Sequence, residues 1–243
     1  MEAIQPRSDK HGGLGTMRQR GTISVAAAML TWAGTAGASI TIDTLSSWDG
    51  SSAILSFGEP NVAYVGQTFR ALDTELANIE VVLDGLDWVG EPHSTSFHLL
   101  VAPLAPTNDR PDLNNILFES NPLATSLNQG YETFNVPLNV SVIPGETYMF
   151  VLDAFVAFDG LYSDAAIGVN PDSYSDGGVL FLNVEESAPT LRTDHDAEAW
   201  TVSTVLSDLA FQMTFVPEPS TAVFLGVLCF TVGQRRRGIR LQN

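Results

Sequence analysis

A single cysteine stands in 243 residues, Cys229, inside a greasy stretch near the C-terminus. The body ahead of it can form no disulfide and carries no thiol chemistry, so its stability has to come from core packing, with a metal ion as the other available brace. Basic residues are nearly as scarce. Between Ser39 and Pro219 only Arg70, Arg110 and Arg192 are cationic, and the formal net charge of the chain is −17. Such a surface repels nucleic acid and anionic lipid. It suits a soluble exported protein or one that binds cations; carboxylates kept for solubility are the plainer account. Also missing are a G-x-S-x-G elbow, an HExxH pair and a phosphate loop. No enzyme is expected on that ground. A hydrolase with unrecognised carboxylates stands as a third reading, because glycosidase acids need only meet in space.

Long hydrophobic runs are absent too, but two short ones occur, one near each end. "MRQRGTISVAAAMLTWAGTAGASI", from Met17 to Ile40, has basic Arg18 and Arg20, an apolar core from Ile23 to Trp32, and small residues at Ala36 and Ala38. This pattern predicts a secretory signal cut by signal peptidase after Ala38; a buried N-terminal helix is the alternative. Residues 1–16 fit neither, which makes Met17 the expected start, the alternative being that 1–16 only lengthen the basic region. Residues 1–38 are thus assigned to the signal peptide, 39–215 to one folded domain and 216–243 to a C-terminal sorting segment.

That last segment reads Val216-Pro217-Glu218-Pro219-Ser220, then an apolar run from Thr221 to Gly233, then Arg235, Arg236 and Arg237. Two prolines fix two φ angles and push their neighbours toward extended geometry, so the motif should be a stiff strip. The apolar run is shorter than the roughly 20 residues that span a bilayer comfortably. The arginines would hold its end on the cytoplasmic side. In order and position these features resemble the PEP-CTERM sorting signal. The resemblance implies an inner-membrane-anchored intermediate in a Gram-negative bacterium, held by a C-terminal transmembrane helix and processed by an exosortase. It also implies delivery to the cell surface or to an exopolysaccharide (biofilm) matrix. Pro217, Glu218 and Pro219 are then substrate residues, Arg235–Arg237 a basic stop, and the membrane is met only through that helix.

Between the ends, short segments alternate apolar and polar residues. Ile79, Val81 and Leu83 share one face, as do Phe97, Leu99 and Val101; Phe134, Val136 and Leu138; Tyr148, Phe150 and Leu152; and Leu209, Phe211, Met213 and Phe215. Period two predicts half-buried antiparallel strands. Further strands are expected at 39–43, 53–57, 66–71, 116–119 and 179–183. The predicted fold is all-β, a single antiparallel β-sandwich of jelly-roll type. The order of "GQTF", "PGETYMFVL" and "DLAFQMTF" is similar to β-sandwich bodies of PEP-CTERM proteins. Long loops are expected at 103–115, 120–130, 159–178 and 185–199, and function would sit on them.

Two loops carry candidate chemistry. The stretch 158–178 holds Asp159, Asp164, Asp172 and Asp176 with Tyr162 and Tyr174. Carboxylates on glycine-containing loops suit calcium, the one cofactor the residues suggest, although the spacing matches no EF-hand. Tyrosine faces beside hydrogen-bonding groups suit a sugar, as does Trp200. A solvated acidic loop is the plainer alternative. Asp194, His195, Asp196 and Glu198 crowd together ahead of Trp200, but zinc would need further ligands that His93 and His98 alone would have to supply. The leading expectation is an exported, non-catalytic surface or matrix protein with exopolysaccharide as a partner. The runner-up is a carbohydrate-binding module, calcium-dependent or not.

Overall fold

The computed structural model describes residues 38–86, 94–107, 110–127, 129–171, 174–184, 200–202 and 208–217. The apolar parts of the two terminal segments, and Asp194–Glu198, lie outside these residues. Among the described residues no helix is long and apolar enough to cross a membrane.

The alternating segments form strands. In chain order they are β1 (Ile40–Asp43), β2 (Ala53–Phe57), β3 (Val62–Arg70), β4 (Glu75–Gly85), β5 (Ser96–Pro103), β6 (Phe118–Glu119), β7 (Leu123–Ala124), β8 (Glu132–Ser141), β9 (Thr147–Asp153), β10 (Ala165–Asn170), β11 (Val179–Asn183), β12 (Thr201–Val202), β13 (Asp208–Leu209) and β14 (Phe211–Val216). A 3-10 turn at Phe155–Ala157 follows β9. The turn into β9 is set by sequence: Pro144 fixes one φ, Gly145 takes φ +87°, and the Glu146 amide donates to the Ile143 carbonyl at 3.1 Å.

One run of neighbours is β8–β4–β14–β1. Another is β6–β5–β9–β3–β11–β12. Their apolar sides meet in the main core. Ile79, Val81, Leu83, Val136, Phe211, Met213 and Phe215 from the first pack with Val65, Phe69, Phe97, Leu99, Val101, Phe150 and Leu152 from the second. Rings cross between the two: Phe150 meets Phe211 edge-on at 5.4 Å and Phe97 meets Phe134 at 5.2 Å. Each buried phenylalanine removes enough surface from water to contribute roughly 2–3 kcal/mol.

The network is mixed and open, a correction to the purely antiparallel expectation. β10 pairs with β4 and with β2, and β2 meets β3 in parallel at Phe57↔Val62. The cause is local. The chain loops back on itself over Gly58–Asn61, where the Gly58 amide donates to the Val62 carbonyl and the Asn61 amide to the Gly58 carbonyl. β3 therefore leaves beside β2 in the same direction.

Two further corrections concern expected loops, and a third concerns burial. The expected loop at 159–178 contains β10, whose six residues are all buried. With both faces covered, Ala-Ala-Ile-Gly-Val-Asn has no reason to alternate. The expected loop at 120–130 likewise contains β7. In addition, β3, β5, β9 and β11 are buried on their second face as well, by a smaller core of Ala63, Tyr64, Leu100, Met149, Val151, Leu180, Leu182 and Trp200.

Candidate functional site

The acidic stretch is built around a residue that periodicity did not single out, Glu59. Its side chain is buried, and its two carboxylate oxygens accept the amides of Asp159 and Gly160 at 2.8 and 2.9 Å. The Ser163 amide donates to the Glu59 carbonyl at 3.1 Å. Asp159 in turn accepts the Leu161 amide at 3.0 Å. Two loops 100 residues apart in sequence are thereby pinned together.

Asp164 immediately precedes β10 and is only 2% exposed. Burial pushes its carboxyl up to about 6, against opposing hydrogen bonds from the Tyr162 hydroxyl and the amides of Ala165 and Ser56. Tyr162 itself is raised by burial and then by the Asp164 charge. Ser56 sits at φ +71°, uncommon for a residue with a side chain, next to the register shift between β2 and β10. This corner can hold a proton on Asp164, while both oxygens of the Glu59 carboxylate accept amides.

The other predicted residues are scattered. Asp172 lies outside the described residues, and among those described no three His, Cys, Asp or Glu side chains gather as a cation site. Tyr174 is a structural residue. Its hydroxyl accepts the Arg70 amide at 2.9 Å, its own amide donates to Asp208 at 2.8 Å, and its ring meets Phe211 edge-on at 6.2 Å. Asp176 follows it in a turn. Trp200 is buried in the second core, 5.6 Å from the Tyr64 ring. Tyr162 alone of the three aromatics is exposed. His98 Nδ1–H donates to the Ser120 carbonyl at 2.9 Å, with Glu119 Oε1 3.2 Å away. Ala38 precedes β1 and is exposed. β14 runs to Val216 and Pro217 follows at once, while Glu218, Pro219, Ser220, Ala36 and Arg235–Arg237 lie outside the described residues.

An open groove of about 790 Å³ lies beside the second core, lined by Thr68, Ile143, Tyr148, Gly177, Leu180 and Val202 among others. Among the described residues its lining carries one carboxylate, Glu146, and no basic side chain.

The arrangement richest in converging polar groups lies elsewhere, on the outward side of β8–β4–β14–β1. Register places Asn135, Glu80, Gln212 and Asp43 in one row across the four strands, and Asn78, Thr214 and Thr41 in another. The row is bonded within itself: Asn135 Nδ2 donates to Glu80 Oε1 at 2.6 Å, Asn78 Nδ2 reaches the same oxygen at 3.4 Å, and Gln212 bonds Asp43. At one end stand Trp48 and Tyr131, edge to face at 4.7 Å. Neither belongs to either core. Trp48 lies over Gly168, where a Cβ would meet its ring at 3.1 Å and Val82 at 2.5 Å. Its Nε1 donates to the Ser52 carbonyl at 2.8 Å. Asp49 closes the same loop through the amides and hydroxyls of Ser51 and Ser52, which hold its carboxyl well below the usual range. Burial, then Asp84 and Asp49, raise the Tyr131 hydroxyl. The signal was present in sequence: Thr133 and Asn135 alternate with the core-facing positions of β8, and Tyr131, just ahead of the strand, continues their spacing.

Comparison of the chain with family models, with characterised proteins and with solved structures found no match, so the reading of this molecule rests on its own residues.

Proposed function

We propose that this chain is an exported, non-catalytic protein of the bacterial cell surface or extracellular polymer, whose body is a jelly-roll-like β-sandwich and whose residues 216–243 are a sorting signal read by an exosortase. The supporting observation is positional. β14 lies between β1 and β4, and Pro217 follows its last residue, Val216. A stiff Pro-Glu-Pro strip starting there would be accessible to a processing enzyme while the core stays closed. The two-layer packing of the main core supports the sandwich. The acidic surface fits a protein that meets membrane only through its tail and avoids nucleic acid. Its work in this reading is to be placed among exopolysaccharide, with signal peptidase and exosortase as processing partners and no cofactor required.

Mass spectrometry of the protein exported by an exosortase-bearing Gram-negative host tests this. The expected product begins at Ser39 and lacks Arg235–Arg237, and Glu218→Ala leaves the chain in the inner membrane. A secreted product that still contains Gln5 or Arg235–Arg237 would overturn the reading.

A further inference from the structure

We infer that the outward face of β8–β4–β14–β1 binds a polysaccharide free of carboxylate and sulfate groups, with Trp48 and Tyr131 as the stacking end. The inference rests on the matrix reading above and names the contact that reading leaves open.

Four features of the face point to a glycan. First, strands lie ~4.8 Å apart and same-face residues ~6.8 Å apart along a strand, so the rows give an extended grid about 15 Å by 20 Å. A short stretch of sugar rings covers such a grid; a compact ligand does not. Second, the grid mixes amides (Asn78, Asn135, Gln212), hydroxyls (Thr41, Thr133, Thr214) and carboxylates (Glu80, Asp43). A sugar hydroxyl is both donor and acceptor and can use all three. Third, the polar side chains already hold one another, and Trp48 is fixed by its Nε1 bond and the Asp49 turn. The Trp48 loop is fastened from beneath as well: Asn170 Nδ2 donates to the Thr44 carbonyl and to Ser47 Oγ at 2.8 and 2.6 Å. A face ordered before it binds loses little entropy on binding. Fourth, a half-buried tryptophan–tyrosine pair outside both cores leaves part of its apolar surface beside hydrogen-bonding groups, the combination a pyranose ring needs.

Charge selects among glycans. Asp43, Glu80 and Asp84 lie on the face, with Asp49 in the loop at its aromatic end. The described cations, Arg70 and Arg110, belong to β3 and to the loop after β5. A uronic-acid or sulfated polymer would meet like charge there and no cation among the described residues.

The test titrates the full chain with cellohexaose, laminarihexaose and N-acetylchitohexaose, and with a galacturonate hexamer as the acidic counterpart. At least one neutral hexasaccharide is expected to bind saturably, and the galacturonate hexamer about tenfold more weakly or less. Trp48→Ala should weaken binding about tenfold or more. Its ring covers Gly168, so that variant can also fail to fold; Asn135→Ala and Gln212→Ala then carry the test, each weakening binding several-fold at an unchanged melting temperature. Silence toward all three neutral hexasaccharides overturns the inference. So does binding that survives the Asn135→Ala, Gln212→Ala double change, or binding of the galacturonate hexamer as tight as that of the neutral ones. Protein that reaches the matrix yet fails these titrations leaves the matrix reading standing; protein that binds but is never exported overturns that reading alone.

Discussion

Gln67 Nε2 donates to Asp208 Oδ1 at 3.0 Å, and both residues are fully buried although 141 positions separate them. The same glutamine accepts the Leu209 amide at 2.9 Å through Oε1, and Asp208 Oδ2 accepts the Tyr174 amide at 2.8 Å. One amide and one carboxylate thus join β3, β13 and the segment that leads into β11.

Gln67→Leu keeps the volume and removes both hydrogen-bonding ends, leaving the Leu209 amide and one Asp208 oxygen without this partner in the interior. A loss of about 3 kcal/mol is expected in urea unfolding. Gln67→Glu should be worse at pH 7 than at pH 4, because a second carboxylate would face the first. A loss under about 1 kcal/mol for the leucine variant would mean that water replaces the side chain.

The pH dependence of stability should carry the mark of Asp164. Its carboxyl titrates near 6 in the folded chain, against 3.8 in its ordinary state. The folded state therefore holds a proton that the unfolded chain has already released. This stabilising contribution is complete at low pH and is lost as pH rises through about 6. Asp164→Asn should flatten that fall and stabilise the protein at pH 7 by about 1 kcal/mol, less than the whole shift implies because solvent screens the Tyr162 side. Melting temperatures of both proteins between pH 4 and pH 8 check this; curves that stay parallel would refute it.

Gly177 and Gly178 are adjacent and should respond oppositely to alanine. A Cβ on Gly177 would meet the Thr68 carbonyl oxygen at 2.1 Å and the Tyr174 ring at 2.8 Å, whereas at Gly178 nothing lies within 4 Å. Gly177→Ala is expected to cost about 3 kcal/mol. Gly178→Ala should be neutral or stabilise by about 0.5 kcal/mol through the unfolded chain. Equal effects in thermal melts would show that the close approach at Gly177 relaxes freely.

Strands with one wet face were readable from the chain, and β8 is the clearest: Val136, Leu138 and Val140 are buried while Thr133, Asn135 and Asn139 are exposed. Alternation fails as a guide where both faces are covered. β10 was hidden for that reason, and Leu100, Met149 and Val151 gave no sign that a second core would bury them. The candidate site followed the same logic in reverse. Counting acids drew attention to Asp159, Asp164 and Asp176, but the loop that holds Asp159 is pinned by Glu59, which only the fold brings near. Trp48 and Tyr131 come together across 83 positions, which no local pattern encodes.

β1 and β14 pair with Ile40 opposite Phe215 and Asp43 opposite Gln212. The body's first and last strands thus leave the fold from the same end of one ladder. A force applied between those two exits peels the ladder rung by rung from Ile40, instead of shearing all its bonds at once. Such a domain is a weak link if the polymer pulls on both exits, a point a single-molecule pull across them reads directly. Held by one exit alone, it hangs as a pendant, and the load never crosses its first ladder.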